Sequence, residues 1–190
     1  SGRQPSGPEL RVLLCAFKAA DLQADREAQA QMVDGLMALS AMPQVPGGWL
    51  ARAYYARALL RVRTGLFDEA LPDIEQAVVG AEAAGDAEIG AQGHNLGLAA
   101  LRFRGDADGA RVHALAGLAI TRANGDQLML AHIRLLTNLG LLEHDAGRYE
   151  QARRHLADCL VLARQHHQME IQALLLSNLS AAELGLALLA

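Results

Sequence analysis

The sequence predicts an all-α protein built from stacked pairs of antiparallel helices. Ala and Leu fill 71 of the 190 positions, whereas Val, Ile and Thr together fill 16. Small and unbranched side chains favour helices, and β-branched side chains favour strands. Turn signals also return every 40 to 42 residues, with two turns in each period. Two turns per period imply two helices per period, and a repeat of this length is typical of a solenoid.

The spacing of the turns predicts four helix pairs followed by a last helix without a partner. The pairs are 9–22 with 25–41, 49–64 with 67–84, 87–103 with 107–124, and 127–146 with 149–166, and the last helix is 169–188. The segment "MPQVPGG" at 42–48 predicts a long loop or a weak domain boundary, because proline interrupts a helix. The Gly/Pro/Ser-rich residues 1–8 are predicted to be a linker or a cloning scar, so the repeat domain covers 9–190.

A recurring glycine and alanine justify the turn inside each pair. Gly occurs at 65, 105 and 147, and Ala follows it five residues later each time. Glycine ends a helix because it adopts the left-handed conformation without a Cβ clash. The alanine is predicted to face the backbone of the first helix, where only a small side chain fits. The first pair lacks the glycine but is aligned on Ala28, which gives alanine spacings of 42, 40 and 42.

These residues resemble the tetratricopeptide repeat. The matching sets are Leu139, Gly140, Gly147, Tyr149 and Ala152; Tyr54, Ala58, Gly65, Phe67 and Ala70; and Gly97, Gly105 and Ala110. The standard repeat has 34 residues, so this chain is more similar to the longer repeats of kinesin light chains and of bacterial regulators. The resemblance implies a right-handed superhelical solenoid of about four repeats that binds proteins or peptides through its concave face.

The first helices carry the candidate partner-binding residues. Three similar segments, "GHNLGLA", "LTNLGLL" and "LSNLSAA", place Asn95, Asn138 and Asn178 at matching positions. An asparagine side chain can donate to and accept from a peptide amide, but it can equally tether neighbouring helices within the array. The nearby arginines favour an acidic ligand. The predicted concave-face set is Arg52, Tyr55, His94, Asn95, Arg102, Arg134, Thr137, Asn138, Ser177 and Asn178.

Composition argues against several other classes of function. A net charge of −4 and a pI near 5.9 do not suggest direct binding to nucleic acid. The sequence has no run of 18 apolar residues, so no membrane contact is predicted and the expected location is cytoplasmic. Cys15 and Cys159 are both predicted to be buried hydrophobic residues in a reducing compartment.

Catalytic and metal-binding patterns are not found in the sequence. The seven histidines lack the spacing of metal ligands, and "GDADG" at 105–109 lacks the carboxylates of a calcium loop. No phosphate-binding glycine loop or nucleophile elbow occurs. We therefore expect no catalytic activity, no cofactor and no metal.

Two functional hypotheses follow. The first is a scaffold or sensor module of a larger regulatory protein, which the excess of 16 Arg over one Lys suggests is bacterial. The alternative is a homo-oligomerisation module that acts through the apolar last helix. In that alternative the module is attached to a signalling enzyme such as a diguanylate cyclase, or to a transcription activator.

Overall fold

A computed structural model describes residues 7–189, and within them the chain is helical with no strand. The helices are α1 (Gly7–Leu22), α2 (Arg26–Ser40), α3 (Gly47–Arg63), α4 (Phe67–Ala84), α5 (Ala87–Phe103), α6 (Ala107–Asn124), α7 (Met129–Asp145), α8 (Tyr149–Gln165) and α9 (Met169–Ala187). A short 3₁₀ turn, Gly125–Leu128, precedes α7. The predicted all-α class is confirmed, and the helix limits agree with the predicted ones to within about two residues. Residues 1–6 of the predicted linker lie outside the described residues, and Gly7 and Pro8 begin α1.

The chain divides into two compact units between Leu96 and Gly97, inside α5, and not at the Pro/Gly segment 42–48. In the N-terminal unit, α1 packs on α2, α2 on α3 and α3 on α4. In the C-terminal unit, α6 packs on α7, α7 on α8 and α8 on α9. Each unit is therefore built from helices that contact their neighbours in sequence order, as a helical repeat requires.

The turn inside each helix pair has the same backbone conformation in all four pairs. Gly65 has a φ of 80°, which is the left-handed region that an L side chain rarely adopts. Ala24 lies at the corresponding place in the first pair with a φ of 56°. The other left-handed residues between helices are Gly85, Gly105, Gly125, Gly147 and His167. The first pair thus keeps the left-handed turn although it lacks the glycine.

This turn corrects the alignment of the first pair. Counted from the left-handed residue, the counterpart of Ala70 is Gln29, because both lie five residues further on. Gln29 is fully buried, as is Ala70, whereas Ala28 is only partly buried. The Gln29 side chain fits because its polar end is satisfied: its amide nitrogen Nε2 donates to Asp21 Oδ1 at 3.3 Å, and its Oε1 accepts from Arg26. The residue of the first pair that corresponds to Ala70 is therefore Gln29 and not Ala28.

Helices approach each other closely where a small residue removes side-chain volume. A Cβ atom added to Gly140 on α7 would lie 2.8 Å from Leu156 Cγ and 3.5 Å from the carbonyl oxygen of Ala152 on α8. Ala152 is itself fully buried. In this pair Gly140 lies against the backbone of Ala152 and the side chain of Leu156, so the helix contact leaves little room for a side chain at this position of α7.

Each unit also contains a buried carboxylate held by two arginines. In the N-terminal unit, Asp73 is 3% exposed and accepts from Arg57 Nε at 2.8 Å, Arg57 Nη2 at 2.6 Å and Arg61 Nη1 at 2.5 Å. The hydrogen bonds to Asp73 raise the pKa of Arg57. In the C-terminal unit, Glu143 accepts from Arg111 at 2.8 Å and from Arg148. Removing one partner of such a pair would leave a buried charge uncompensated, which is costly.

Candidate functional site

In the N-terminal unit, Arg52 is already engaged with its neighbours. Its Nη2 lies 2.5 Å from Asp86 Oδ2, and its guanidinium lies 5.9 Å from the centre of the Trp49 ring. Asp86 also caps α5, because its Oδ1 accepts from the backbone N–H of Ile89 at 3.2 Å. Arg52 therefore tethers α3 to the start of α5, and its charge is balanced by Asp86.

The remaining predicted residues of this unit are partly buried. Tyr55 packs against a small core cluster formed by Ala51, Ala81 and Ile89. His94 and Asn95 on α5 are half-buried, and like Tyr55 they make contacts with other groups of the chain. These side chains contribute to packing as well as to the surface.

In the C-terminal unit, Arg102 also forms an ion pair. Its Nη1 donates to Asp145 Oδ2 at 2.9 Å, and its guanidinium lies 4.8 Å from the centre of the Phe103 ring. The Arg102 Nε is buried and has no hydrogen-bond partner among the described residues. Arg102 thus links α5 to the end of α7, and only part of its hydrogen-bonding capacity is used.

Helix α7 carries a stripe of exposed and partly exposed side chains in the C-terminal unit. Leu130 and Arg134 are exposed, and Asn138 and Leu141 are partly exposed. They are spaced three or four residues apart, so they lie along one face of the helix. The described residues give Arg134 no ion pair or hydrogen bond. Arg134 is therefore a free cation beside Asn138 and two leucines.

Thr137 does not belong to this stripe. It is 7% exposed, and its hydroxyl donates to the carbonyl oxygen of Ile133 at 2.8 Å. The same hydroxyl lies 3.7 Å from Cys159 Sγ on α8. One residue along a helix is a rotation of about 100°, which turns Thr137 into the α7–α8 contact while Asn138 remains partly exposed. Thr137 was expected on the open face and is instead part of the core.

The two predicted residues on α9 have different environments. Ser177 is exposed, whereas Asn178 is half-buried, and its Nδ2 is buried without a hydrogen-bond partner among the described residues. Leu175 and Ala182, three residues before and four residues after Asn178, are fully buried. Asn178 therefore borders the face of α9 that packs on the rest of the unit.

The asparagines do not share one register. Asn95 lies ten residues before the left-handed Gly105, and Asn138 lies nine residues before the left-handed Gly147. By this count the counterpart of Asn95 is the buried Thr137. A shift of one residue rotates a helical side chain by about 100°. The count from the turn and the alignment of the similar segments thus give different counterparts for Asn95, whereas Asn95 and Asn138 are both partly buried.

Burial also determines the chemistry of several titratable groups. Desolvation lowers the pKa of His113, and desolvation followed by the charge of Arg122 lowers the pKa of His132. Burial raises the pKa of the Cys159 thiol to about 12.

Cys15 was predicted to be buried but is exposed on α1. Periodicity missed this because Cys15 is in an apolar stretch, although it lies on the solvent side of the helix.

Residues 7–189 contain no group of three or more His, Cys, Asp or Glu side chains that could hold a metal ion. Over the same part of the chain, no helix combines the length and the apolar character needed to cross a membrane.

Comparison with solved structures identifies the fold. BtubC (BKLC) from P. vanneervenii superposes with a TM-score of 0.73, covering 95% of this chain and 72% of that chain at 16% sequence identity. The chain is an all-α helical repeat protein. No family model matches the sequence, and no curated protein matches it. At this level of identity the similarity to BtubC establishes the fold alone.

Proposed function

We propose that this chain is a protein-interaction module that binds an acidic peptide or protein segment on the open stripe of α7. The observation that supports this is the free cation Arg134, one helical turn from Asn138 and between Leu130 and Leu141. Arginine can form two parallel hydrogen bonds to a carboxylate, and the amide of Asn138 can bond to a peptide backbone. The leucines add apolar area that a bound segment would cover.

The contacts of the other predicted residues decide which of them can belong to this binding surface. Arg52 and Arg102 are paired with Asp86 and Asp145, so a ligand would have to compete with those carboxylates. Arg134 requires no such exchange. We therefore assign the main contact to Arg134. Asn138, which also interacts within the chain, and the exposed Ser177 on α9 are further polar groups of this surface, and Thr137 is left out.

The test is selection from a displayed library of random ten-residue peptides, followed by titration of the selected peptides. The key variant is Arg134→Glu, and its matched control is Arg164→Glu, which reverses an exposed arginine on α8. Both variants have the same net charge, so any difference between them is local. We expect acidic peptides whose affinity falls at least tenfold, or about 1.4 kcal/mol, with Arg134→Glu alone. Equal losses in both variants, or a library that yields no binder, would contradict the proposal.

A second candidate function is self-association through α9. Met169, Leu184 and Leu188 are 73%, 60% and 79% exposed, and Leu174 and Leu176 are also exposed. Several exposed apolar side chains on one helix usually mark an interface. Light scattering over a range of concentrations tests this. We expect a dimer that Leu184→Glu converts to a monomer, and a wild-type protein that stays monomeric at high concentration would rule it out.

A further inference from the structure

A pocket in the N-terminal unit is not explained by the proposed peptide surface. It has a volume of about 580 Å³ and lies between α1, the start of α3 and the end of α4. Its lining is Arg11, Leu14, Cys15, Pro46, Gly48, Trp49, Arg52, Ala84 and Asp86. This volume is within the range of small-molecule sites in proteins.

The charges of this pocket leave one cation unbalanced. The Arg52 guanidinium is neutralised by Asp86, at 2.5 Å. Arg11 is exposed, and the described residues offer it neither an ion pair nor a hydrogen bond. The side chains that line the pocket thus carry two positive charges and one negative charge. A ligand with a single negative charge would complete the balance, and a carboxylate fits the planar guanidinium of Arg11.

The rest of the lining is suited to an apolar body. Trp49 is half-buried, and the Arg52 guanidinium lies over its ring. Leu14, Pro46 and Ala84 add aliphatic surface to the lining. An indole offers a flat face on which an aromatic ring stacks favourably. The pocket therefore combines one free guanidinium with an aromatic and aliphatic wall.

From this combination we infer that the pocket binds a monocarboxylate with an aromatic or aliphatic body, with Arg11 receiving the carboxylate and Trp49 contacting the body. Such a group can be a free organic acid or the last residue of a peptide with an apolar side chain. Both sources present the same chemistry to the pocket.

The chain contains a reporter for this site. Trp49 is the single tryptophan of the sequence, so intrinsic fluorescence excited at long wavelength observes the pocket directly. The probes are 3-phenylpropionate, its neutral amide, and the peptide acetyl-Ala-Ala-Phe with either a free or an amidated C-terminus. Arg11→Gln removes the free cation, and Lys18→Gln removes an exposed cation further along α1, outside the pocket.

We expect saturable fluorescence changes with the carboxylates and at least tenfold weaker binding of the amides. Arg11→Gln should lower carboxylate affinity at least tenfold, and Lys18→Gln should leave it unchanged. Bound carboxylate should also slow alkylation of Cys15 by iodoacetamide, because the thiol lines the same pocket. Stronger binding of the free acid or of the peptide identifies the source, and either result supports the assignment.

Three results would overturn the inference: no saturable change with any carboxylate, amides that bind as well as acids, or equal losses in both variants. Circular dichroism of Arg11→Gln separates loss of binding from loss of structure. If that variant unfolds, the acid-to-amide comparison on the wild-type protein decides. The inference is independent of the peptide surface on α7, because Arg134→Glu should not change these titrations.

Discussion

Replacing Gly140 with alanine tests whether the close contact of α7 and α8 limits the side chains that the helix pair accepts. The added Cβ would lie 2.8 Å from Leu156 Cγ, and Leu156 is fully buried and cannot move into solvent. Overpacking of this kind costs about 1–3 kcal/mol. Alanine gains about 1 kcal/mol over glycine within a helix. Taking the middle of the first range, we expect a net loss of about 1 kcal/mol in the free energy of unfolding.

Gly35→Ala on α2 is the matched control. Its new Cβ would meet Leu13 Cδ1 at 3.3 Å, and Leu13 is only partly buried, so the end of that side chain can shift. The gain in helix propensity then exceeds the cost of the new contact, which is a few tenths of a kcal/mol. We therefore expect the free energy of unfolding to rise by about 0.5 kcal/mol. Urea unfolding followed by circular dichroism compares the two variants. If Gly140→Ala is as stable as Gly35→Ala, the α7–α8 contact does not exclude a side chain and the reasoning fails.

Three other predictions concern burial. Asp73→Ala should lower the free energy of unfolding by about 3 kcal/mol, at the low end for a broken buried pair because the arginines are partly exposed. The control Glu69→Ala should change the free energy of unfolding by less than about 1 kcal/mol. Similar losses for both variants in urea titrations would refute this. Burial holds the pKa of His113 below its ordinary 6.5 in the folded state, so the unfolded chain binds more protons near and below that pH. The free energy of unfolding should therefore fall as the pH decreases below 6.5, and melting temperatures at pH 7.5 and pH 5.5 measure this. A melting temperature that stays unchanged between these pH values in both His113→Gln and the wild type would count against it. Ellman's reagent should react with Cys15 in the native protein and with Cys159 only after unfolding, since only Cys15 is exposed. Reaction of two thiols per chain under native conditions would show that Cys159 on α8 is accessible, against the prediction.

Much of the fold follows from the sequence because helix ends have local causes. Gly65 and Gly147 mark turns through their own backbone freedom, and those turns are in the predicted places. The first pair was misaligned by one residue because Ala24 adopts the same left-handed conformation without being glycine. A local signal was present, because Asp25 follows Ala24 and caps α2, as Asp106 follows Gly105 and caps α6. The alignment relied on glycine and therefore passed over this turn.

The candidate site was less predictable, because exposure and pairing depend on helices that are distant in sequence. Thr137 and Asn138 are adjacent and similarly polar, yet the first is buried against α8 and the second is partly exposed. Arg102 and Arg134 are indistinguishable by composition, but only Arg102 has an aspartate within reach. The pocket beside Trp49 was missed for the same reason. Its single-tryptophan signal was present in the sequence, but the residues that surround it come from separate helices.

Among the described residues, Ala24 and His167 are the two that hold a left-handed backbone despite having a Cβ atom. That conformation costs an L-residue about 1–2 kcal/mol, and the surrounding helices must supply this energy for the bend to persist. These two corners are consequently where the chain has not reached its most relaxed local geometry. They are the natural starting points for engineering a more heat-resistant variant, since a change there alters neither the α7 stripe nor the pocket of α1 and α3.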